Sequence, residues 1–251
     1  MRAPSTEVPA ASLRIPFPAG AGLTHRGMVR DRNEDAILTD PEGELWAVAD
    51  GMGGHDNGDV ASDIVIDALA TMPDGAAPAA AMAARLGEAN AAVAAQAREA
   101  GHGTMGATVV ALWIRHAVAH LVWAGDSRGY LMRGGHLRLL THDHTVVQDL
   151  VDSGALRPDE AEGHPESHVV TRAVGMGADF EVDSVSVPLV PGDRLLLCSD
   201  GLPRAVTQQE ISAIMRSAPT PEEACKTLVT LALEAGAPDN VSVIVVEMRE
   251  G

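Results

Sequence analysis

The sequence predicts an α+β fold of four layers, in which two antiparallel sheets pack face to face between flanking helices. Strand-like and helix-like runs follow one another in the order β, two α, several β, α, β, two α, β. Turn residues separate successive strand-like runs in the middle of the chain, as in antiparallel sheets. Hydrophobic residues make up 46% of the 251 residues, which is enough for a sizeable core.

The N-terminal stretch differs in composition from the rest of the chain. Residues 1–20 combine prolines with small and polar residues and show no sustained period, which predicts a disordered or loosely attached leader. Residues 21–251 are then expected to form a single domain. The chain becomes strand-like from Gly22, and a dense polar cluster at 27–36 interrupts it before Ile37. Such a cluster is either a surface loop or part of a site.

A short apolar run leads into a glycine-rich loop. Residues 45–49 are predicted to form a buried strand that stops at Asp50. Glycines allow the following loop to adopt φ > 0 and to approach a ligand closely. Asp50 can offer carboxylate oxygens, and Gly51 a carbonyl oxygen, to a hard cation such as Mg²⁺ or Mn²⁺. The alternative is a glycine-rich turn with an acid facing water, and this stretch alone does not separate the two.

Two helices and a group of strands are predicted next. The helices cover 59–72 and 76–100, and the second is rich in alanine. Three strands, over 107–114, 117–124 and 129–133, are predicted to form an antiparallel meander that runs on to Leu140.

The second half of the chain continues with mixed elements. Helices are predicted to begin near Val146 and Pro158, and the irregular stretch at 163–168 is a candidate mobile flap. Strands over 184–188 and 193–198 are predicted to pair with each other through a Pro-Gly turn. Helix caps at Thr207 and Thr220 predict two more helices, and the last strand covers 241–246.

Charge and cysteine content restrict the class of partner and the compartment. The formal net charge is −17, with 35 acids against 18 Lys and Arg, which argues against nucleic acid or an anionic membrane as the main partner. The 2 cysteines make neither a disulfide framework nor a zinc pattern. No apolar run reaches membrane-spanning length, and no signal-peptide core is present. A cytoplasmic protein is expected.

Acids at the edges of predicted strands indicate a metal site. Asp50, Asp126, Asp200 and Asp239 all lie at such edges, so a two-sheet sandwich can gather them at one end. Carboxylates that close repel one another unless cations intervene. Because these ligands are all oxygens, Mg²⁺ or Mn²⁺ is favoured over zinc.

Several short motifs together resemble one family. They are Arg30-x-x-Asn-Glu-Asp35, Ala49-Asp-Gly-Met-Gly-Gly-His55, Met105-Gly-Ala-Thr108, Gly125-Asp-Ser-Arg128, Asp143-His-Thr145, Ser199-Asp-Gly201 and Asp239-Asn240. In this order, over about residues 22–248, they resemble the metal-dependent serine/threonine protein phosphatases of the type 2C (PPM) family, bacterial type. The resemblance implies that family's β-sandwich with helical layers, and a flap at about 152–176.

The resemblance also implies a set of metal ligands. Asp50 would bridge two Mn²⁺ or Mg²⁺ ions. The carbonyl of Gly51 would bind one of them, and Asp200 and Asp239 would hold the other. Asp126 would help to form a weaker third metal site.

The catalytic roles follow from the same resemblance. Arg30 would hold the substrate phosphate, and Glu34 and Asp35 would act through coordinated water. A water that bridges the two ions becomes hydroxide near neutral pH and attacks phosphorus in line, without a phosphoenzyme. The leaving alkoxide needs a proton, for which His55 and His164 are both candidates.

The predicted activity is therefore hydrolysis of phosphoserine and phosphothreonine in proteins. The expected partners are phosphorylated proteins, including a serine/threonine kinase and its targets in signal transduction, and the expected state is a monomer. A catalytically silent binding module would show a lost metal acid, and none is missing. A structural metal domain does not explain Arg30 and His55 together. Two stretches depart from the family pattern, Glu166-Ser167-His168 in the flap and Leu202-Pro203-Arg204 after the third acid.

Overall fold

The computed structural model describes residues 16–40, 43–53, 57–73, 75–99, 105–161 and 163–251. Two five-stranded sheets pack face to face, and every strand pairing in them is antiparallel. Helices cover the outer face of each sheet. The predicted four-layer α+β sandwich is confirmed.

The strands divide between the two sheets. In chain order they are β1 (Phe17–His25), β2 (Asp35–Thr39), β3 (Leu45–Gly53), β4 (Met105–Arg115), β5 (Val118–Ala124), β6 (Arg128–Arg133), β7 (His136–Leu139), β8 (Asp183–Pro188), β9 (Arg194–Cys198) and β10 (Val241–Arg249). The first sheet has the order β1-β10-β9-β6-β7 and the second the order β2-β3-β4-β5-β8.

The described helices flank these sheets. They are α1 (Gly58–Leu69), α2 (Pro78–Glu99), α3 (Val146–Asp152), α4 (Pro158–Ala161), α5 (Gly201–Ala205), α6 (Gln208–Ser217) and α7 (Pro221–Glu234). The predicted capping box at Thr207 and the cap at Thr220 both form. The sequence did not predict α5, because five residues are too short to show a helical period. None of the described helices has the length and apolar character needed to cross a membrane.

The core is built by the alternation of side chains along each strand. In β3, Trp46 and Val48 point between the two sheets, whereas Ala47 and Ala49 lie under the helices α1 and α2. Side chains of β9 and β10, such as Leu197 of β9, complete the layer between the sheets. The alanines on the other face of β3 are small, which allows the helices to approach the sheet closely.

The pairing of the central strands differs from the predicted one. β4 and β5 pair with each other, but β6 lies in the other sheet, between β7 and β9. Similarly, β8 pairs with β5, and β9 with β10, so the predicted pair of 184–188 with 193–198 is wrong. In both places a short connection crosses from one sheet to the other. At the first crossing Gly125 has a φ of 110°, which favours glycine.

The first strand begins inside the stretch that we predict as a leader. β1 starts at Phe17, pairs with β10 along its whole length and forms an edge of its sheet. Pro18 is tolerated in an edge strand, where a missing N–H breaks no ladder. At Gly20 an added Cβ would lie 2.9 Å from Trp46 Nε1, so glycine allows β1 to pack closely on β3. Residues 1–15 lie outside the described residues.

Candidate metal centre

Acidic side chains from both sheets meet at one end of the sandwich. Asp35 in β2 and Asp50 in β3 face each other in the register of the second sheet. Asp126 follows β5, Asp200 follows β9 and Asp239 precedes β10. The negative charges of the other four residues each raise the pKa of Asp50, so all five lie within electrostatic reach. The structure therefore brings together the acids that the sequence singled out.

Asp50 lies within its strand and not at the strand's end as predicted. β3 continues to Gly53, because Gly51, Met52 and Gly53 still pair with β4. Burial, followed by repulsion from Asp35 and then from Asp200, raises the pKa of Asp50 well above its ordinary value. The site thus holds more carboxylate charge than its surroundings compensate.

Asp35 is a buried acid with one satisfied oxygen. Its Oδ2 accepts hydrogen bonds from Ser199 Oγ at 2.8 Å and from Ser242 Oγ at 2.6 Å. Its Oδ1 is buried and has no hydrogen-bond partner within the described part of the chain. Burial raises the pKa of Asp35 to about 7, and the two hydroxyls oppose this shift. A partnerless buried carboxylate oxygen is where a metal-bound water would fit.

Asp200 and Asp239 are both bound to arginines. Asp200 Oδ2 pairs with Arg204, whereas its Oδ1 is buried and has no partner among the described residues. Asp239 Oδ2 accepts hydrogen bonds from Arg30 Nη2 at 2.9 Å and from Arg204 Nη1 at 3.1 Å. The backbone N–H of Asn240 donates to Asp239 Oδ1 at 2.9 Å.

Asp126 lines a neighbouring cavity. It is buried, and burial followed by repulsion from Asp200 raises its pKa to about 7, against the attraction of Arg204. The cavity has a volume of about 700 Å³ and lies between α4, Ser167 and His168 on one side and α5 and α6 on the other. Asp126, Asp200 and Arg204 line it as well.

The backbone around Gly51 leaves no room for a side chain. An added Cβ would lie 2.0 Å from the carbonyl oxygen of Gly58, and the N–H of Gly51 donates to the carbonyl of Glu34 at 3.1 Å. Gly58 has more room, but it still lies close to this carboxylate, because a Cβ there would lie 2.7 Å from Glu34 Oε1. These glycines hold the Glu34 carboxylate against the backbone that follows Asp50.

Asn240 connects the loop of Arg30 to β10. Its Oδ1 accepts from the N–H of Glu34 at 2.8 Å, and its Nδ2 donates to the carbonyls of Arg26 and Arg32 at 2.9 and 2.8 Å. The amide therefore fixes the position of Arg30 relative to Asp239. The motif Asp239-Asn240 did not by itself predict this role for Asn240.

Of the two histidines proposed as proton donors, the structure describes only His164. His55 lies outside the described residues. His164 is half-buried, its Nδ1 accepts from the N–H of Glu166 at 3.2 Å, and it is not among the described residues that line the cavity. His168 does line the cavity, next to Asp200 and Arg204.

Arg204 is the clearest site residue that sequence reasoning missed. It bridges Asp200 and Asp239, which are predicted ligands of one ion. The signal in the sequence is its place four residues after Asp200, since i and i+4 share one face of a helix.

The donor set fits hard divalent cations. Within the described ranges no three His, Cys, Asp or Glu side chains already form a cage for one ion. Two of the predicted ligands instead turn oxygens toward arginines. The buried oxygens without partners and the mutual repulsion of the acids still call for positive charge at this point. Mg²⁺ and Mn²⁺ keep several waters, so they need few protein ligands.

Comparison with known proteins gives consistent matches over nearly the whole chain. Residues 20–232 match the family model described as Protein phosphatase 2C. The chain is 41% identical over 233 residues to the serine/threonine protein phosphatase PstP of Mycobacterium tuberculosis, which covers 91% of this chain but only 44% of PstP. It is 35% identical over 235 residues to the serine/threonine phosphatase stp of Listeria monocytogenes, with 89% of this chain and 93% of stp covered.

A solved structure has the same fold as this chain. The catalytic domain of the serine/threonine protein phosphatase PstP, in complex with 2 manganese ions, superposes with a TM-score of 0.86 at 38% sequence identity. The match covers 94% of this chain and 100% of that one.

Proposed function

This chain belongs to the protein phosphatase 2C family, as its motifs predict, and from this premise we propose that it hydrolyses phosphoserine and phosphothreonine in proteins. The observation that carries the proposal is the meeting of Asp50, Asp200 and Asp239 at one end of the sandwich. These are the acids to which the family resemblance assigns the two metal ions. A metal-dependent serine/threonine phosphatase is the function that this arrangement supports best.

We assign the metal-holding roles as follows. Asp50 would hold both of two Mn²⁺ or Mg²⁺ ions, the carbonyl oxygen of Gly51 would help to hold one of them, and Asp200 and Asp239 would hold the other. Asp126 would contribute to a weaker third site. When bound, the ions supply the nucleophile by acidifying a water, and they offset charge on the phosphoryl group.

Residues beside the ions position water and substrate. Asp35 would orient a coordinated water through Oδ1, because Ser199 and Ser242 already donate to its Oδ2. Glu34 acts in the same way from the backbone turn beside Gly51. Arg30 binds the substrate phosphate. Its side chain is 52% exposed, and its guanidinium has five N–H donors, so the contact with Asp239 leaves capacity for phosphate oxygens.

The leaving alkoxide would take its proton from a histidine, for which His55 and His164 are the two candidates. The cavity extends to His168 of the flap. If the substrate segment that carries the phosphate enters this cavity, it contacts the flap. This position fits a flap that influences substrate choice.

The biological setting follows from the family and the charge. We propose phosphorylated proteins as substrates, among them the targets of a serine/threonine kinase and the kinase itself, in cytoplasmic signal transduction. A net charge of −17 disfavours nucleic acid and membrane partners, and we expect a monomer.

The proposal is tested by hydrolysis of p-nitrophenyl phosphate and of a phosphothreonine peptide with and without Mn²⁺. The comparison includes Asp50→Asn, Asp200→Asn and, as a control, Asp67→Asn, which removes an equal charge from the exposed face of α1. We expect metal-dependent turnover that falls at least about 100-fold in the first two variants and is unchanged in the control. Folded wild-type protein without metal-dependent turnover would reject the proposal in favour of a phosphoprotein-binding module.

A further inference from the structure

We propose that Arg204 is an internal cation that occupies Asp200 and Asp239 whenever metal is absent, so that a divalent ion must displace its guanidinium in order to bind. This inference rests on the proposed metal centre and concerns its regulation. It assigns a function to a residue that lies outside all the motifs quoted above.

The geometry of Arg204 is that of a bridge between two acids. One end of the guanidinium pairs with Asp200 Oδ2, and Nη1 lies 3.1 Å from Asp239 Oδ2. The side chain is 29% exposed, and those of Asp200 and Asp239 are 13% and 19% exposed. A planar fork of donors can serve two carboxylates at once, which a single ammonium group does less well.

Local structure places this guanidinium at the acids. α5 begins at Gly201, directly after Asp200. Arg204 follows Asp200 by four residues, so the two side chains lie on the same face of this turn. The N–H of Arg204 donates to the carbonyl of Asp200 at 3.1 Å. Leu202 anchors the turn, because it is completely buried in the core beneath α7. The bridge is therefore part of a fixed turn and not a chance contact of a mobile side chain.

The bridge places positive charge where the acids are crowded together. The guanidinium of Arg204 pairs with both Asp200 and Asp239, whose side chains are only 13% and 19% exposed. One guanidinium thus offsets part of the charge that divalent ions would offset more completely. Because metal and arginine need the same carboxylates, occupancy by one excludes the other.

The displaced side chain has space to move into. Arg204 lines the cavity of about 700 Å³ together with Gln208 of α6 and His168 of the flap. A guanidinium that leaves the acids can enter this space without rearrangement of the backbone. As a result, the site binds metal more weakly than its acids alone would. It therefore fills only at a higher concentration of the ion.

The test is titration of the full chain with Mn²⁺ by isothermal calorimetry, without any substrate. The variants are Arg204→Gln and Arg204→Lys. Arg216→Gln is the control for net charge, since Arg216 on α6 contacts Ser212 and lies away from the acids. We expect Arg204→Gln to bind Mn²⁺ about tenfold more tightly than wild type, Arg204→Lys to lie between the two, and the control to match wild type. Equal or weaker binding by Arg204→Gln would overturn the inference.

Thermal unfolding supplies a second readout. In EDTA, Arg204→Gln should unfold about 2–4 °C below wild type, because the acids lose their internal cation. At saturating Mn²⁺ the difference should disappear. If Arg204→Gln does not fold in EDTA, the Mn²⁺ titration of Arg204→Lys tests the inference instead. This variant must then bind Mn²⁺ more tightly than wild type. Wild-type protein that binds no Mn²⁺ would reject the proposed function, whereas tight wild-type binding with no change in the variants rejects this inference alone.

Discussion

Ser242 Oγ donates a hydrogen bond of 2.6 Å to Asp35 Oδ2 across 207 positions of sequence. Ser242 belongs to β10 in the first sheet and Asp35 to β2 in the second, so the bond joins the two sheets at the acidic end. Ser199 Oγ donates to the same oxygen at 2.8 Å and accepts from the N–H of Ser242 at 3.0 Å. The two hydroxyls therefore support the buried acid as a unit.

Removal of one hydroxyl should destabilise the metal-free protein. In Ser242→Ala, Asp35 loses a donor that favours its ionised form, so its pKa rises further. At pH 8, urea unfolding in EDTA should show a loss of about 1–3 kcal/mol, which shrinks at pH 5, where Asp35 is protonated. The control is Ser217→Ala, which removes an exposed bond to the carbonyl of Ala213 and should change stability by less than about 0.5 kcal/mol. Equal losses in both variants would show that Ser242 does not support a charged Asp35.

Stability without metal should depend on pH in an unusual direction. Burial raises the pKa of Asp35 and of Asp126 to about 7 in the folded protein, above the value of about 3.9 in an unfolded chain. Between these values the folded state binds more protons, so stability should fall as pH rises from about 4 to about 7.

The urea midpoint in EDTA, measured across that range, tests this dependence. Asp126→Asn removes one of the two groups, so its pH dependence should be shallower. Saturating Mn²⁺ should raise the wild-type midpoint more at pH 7 than at pH 4 and so flatten the fall between them, because the ions replace the protons. A midpoint that rises steadily from pH 4 to pH 7 in EDTA would contradict the raised pKa values.

Gly201 should be intolerant of a side chain. An added Cβ would lie 1.9 Å from the carbonyl oxygen of Asn240, so Gly201→Ala must push Asp200 away from Asp239. We expect a loss of about 1–3 kcal/mol in unfolding free energy and weaker Mn²⁺ binding by calorimetry. Gly87→Ala is the matched control. Nothing lies within 4 Å of a Cβ there, within the described residues, so alanine in the middle of α2 should stabilise the protein by about 0.5–1 kcal/mol. Wild-type Mn²⁺ affinity in Gly201→Ala would argue against Asp200 and Asp239 as a ligand pair.

Arg30 should act on substrate binding more than on metal binding. At saturating Mn²⁺, Arg30→Ala should lower kcat/KM for a phosphothreonine peptide about 10–100-fold, mainly through KM, because a charge-assisted bond to phosphate is lost. Arg30→Lys keeps the charge but not the planar fork and should recover part of the loss. An unchanged KM in Arg30→Ala would show that a residue other than Arg30 binds the substrate phosphate.

Local patterns predicted most of the elements and the set of acids. The cap residues Thr207 and Thr220, and the strand-edge positions of Asp126, Asp200 and Asp239, are readable because they depend on neighbours along the chain. The order of the motifs predicted the family, which the comparisons confirm. His55 lies outside the described residues, so its role stays a prediction.

Only the tertiary structure decided which parts of the chain meet. A period of two tells which face of a strand is buried but not which strand lies beside it, so the sheet assignment of β6 and the separation of β8 from β9 were not predictable. The same limit applies to side chains. The contact of Arg204 with Asp200 lies within one helical turn and is readable from spacing. The contact of Arg204 with Asp239 spans 35 positions, and that of Ser242 with Asp35 spans 207, so both depend on how the two sheets pack.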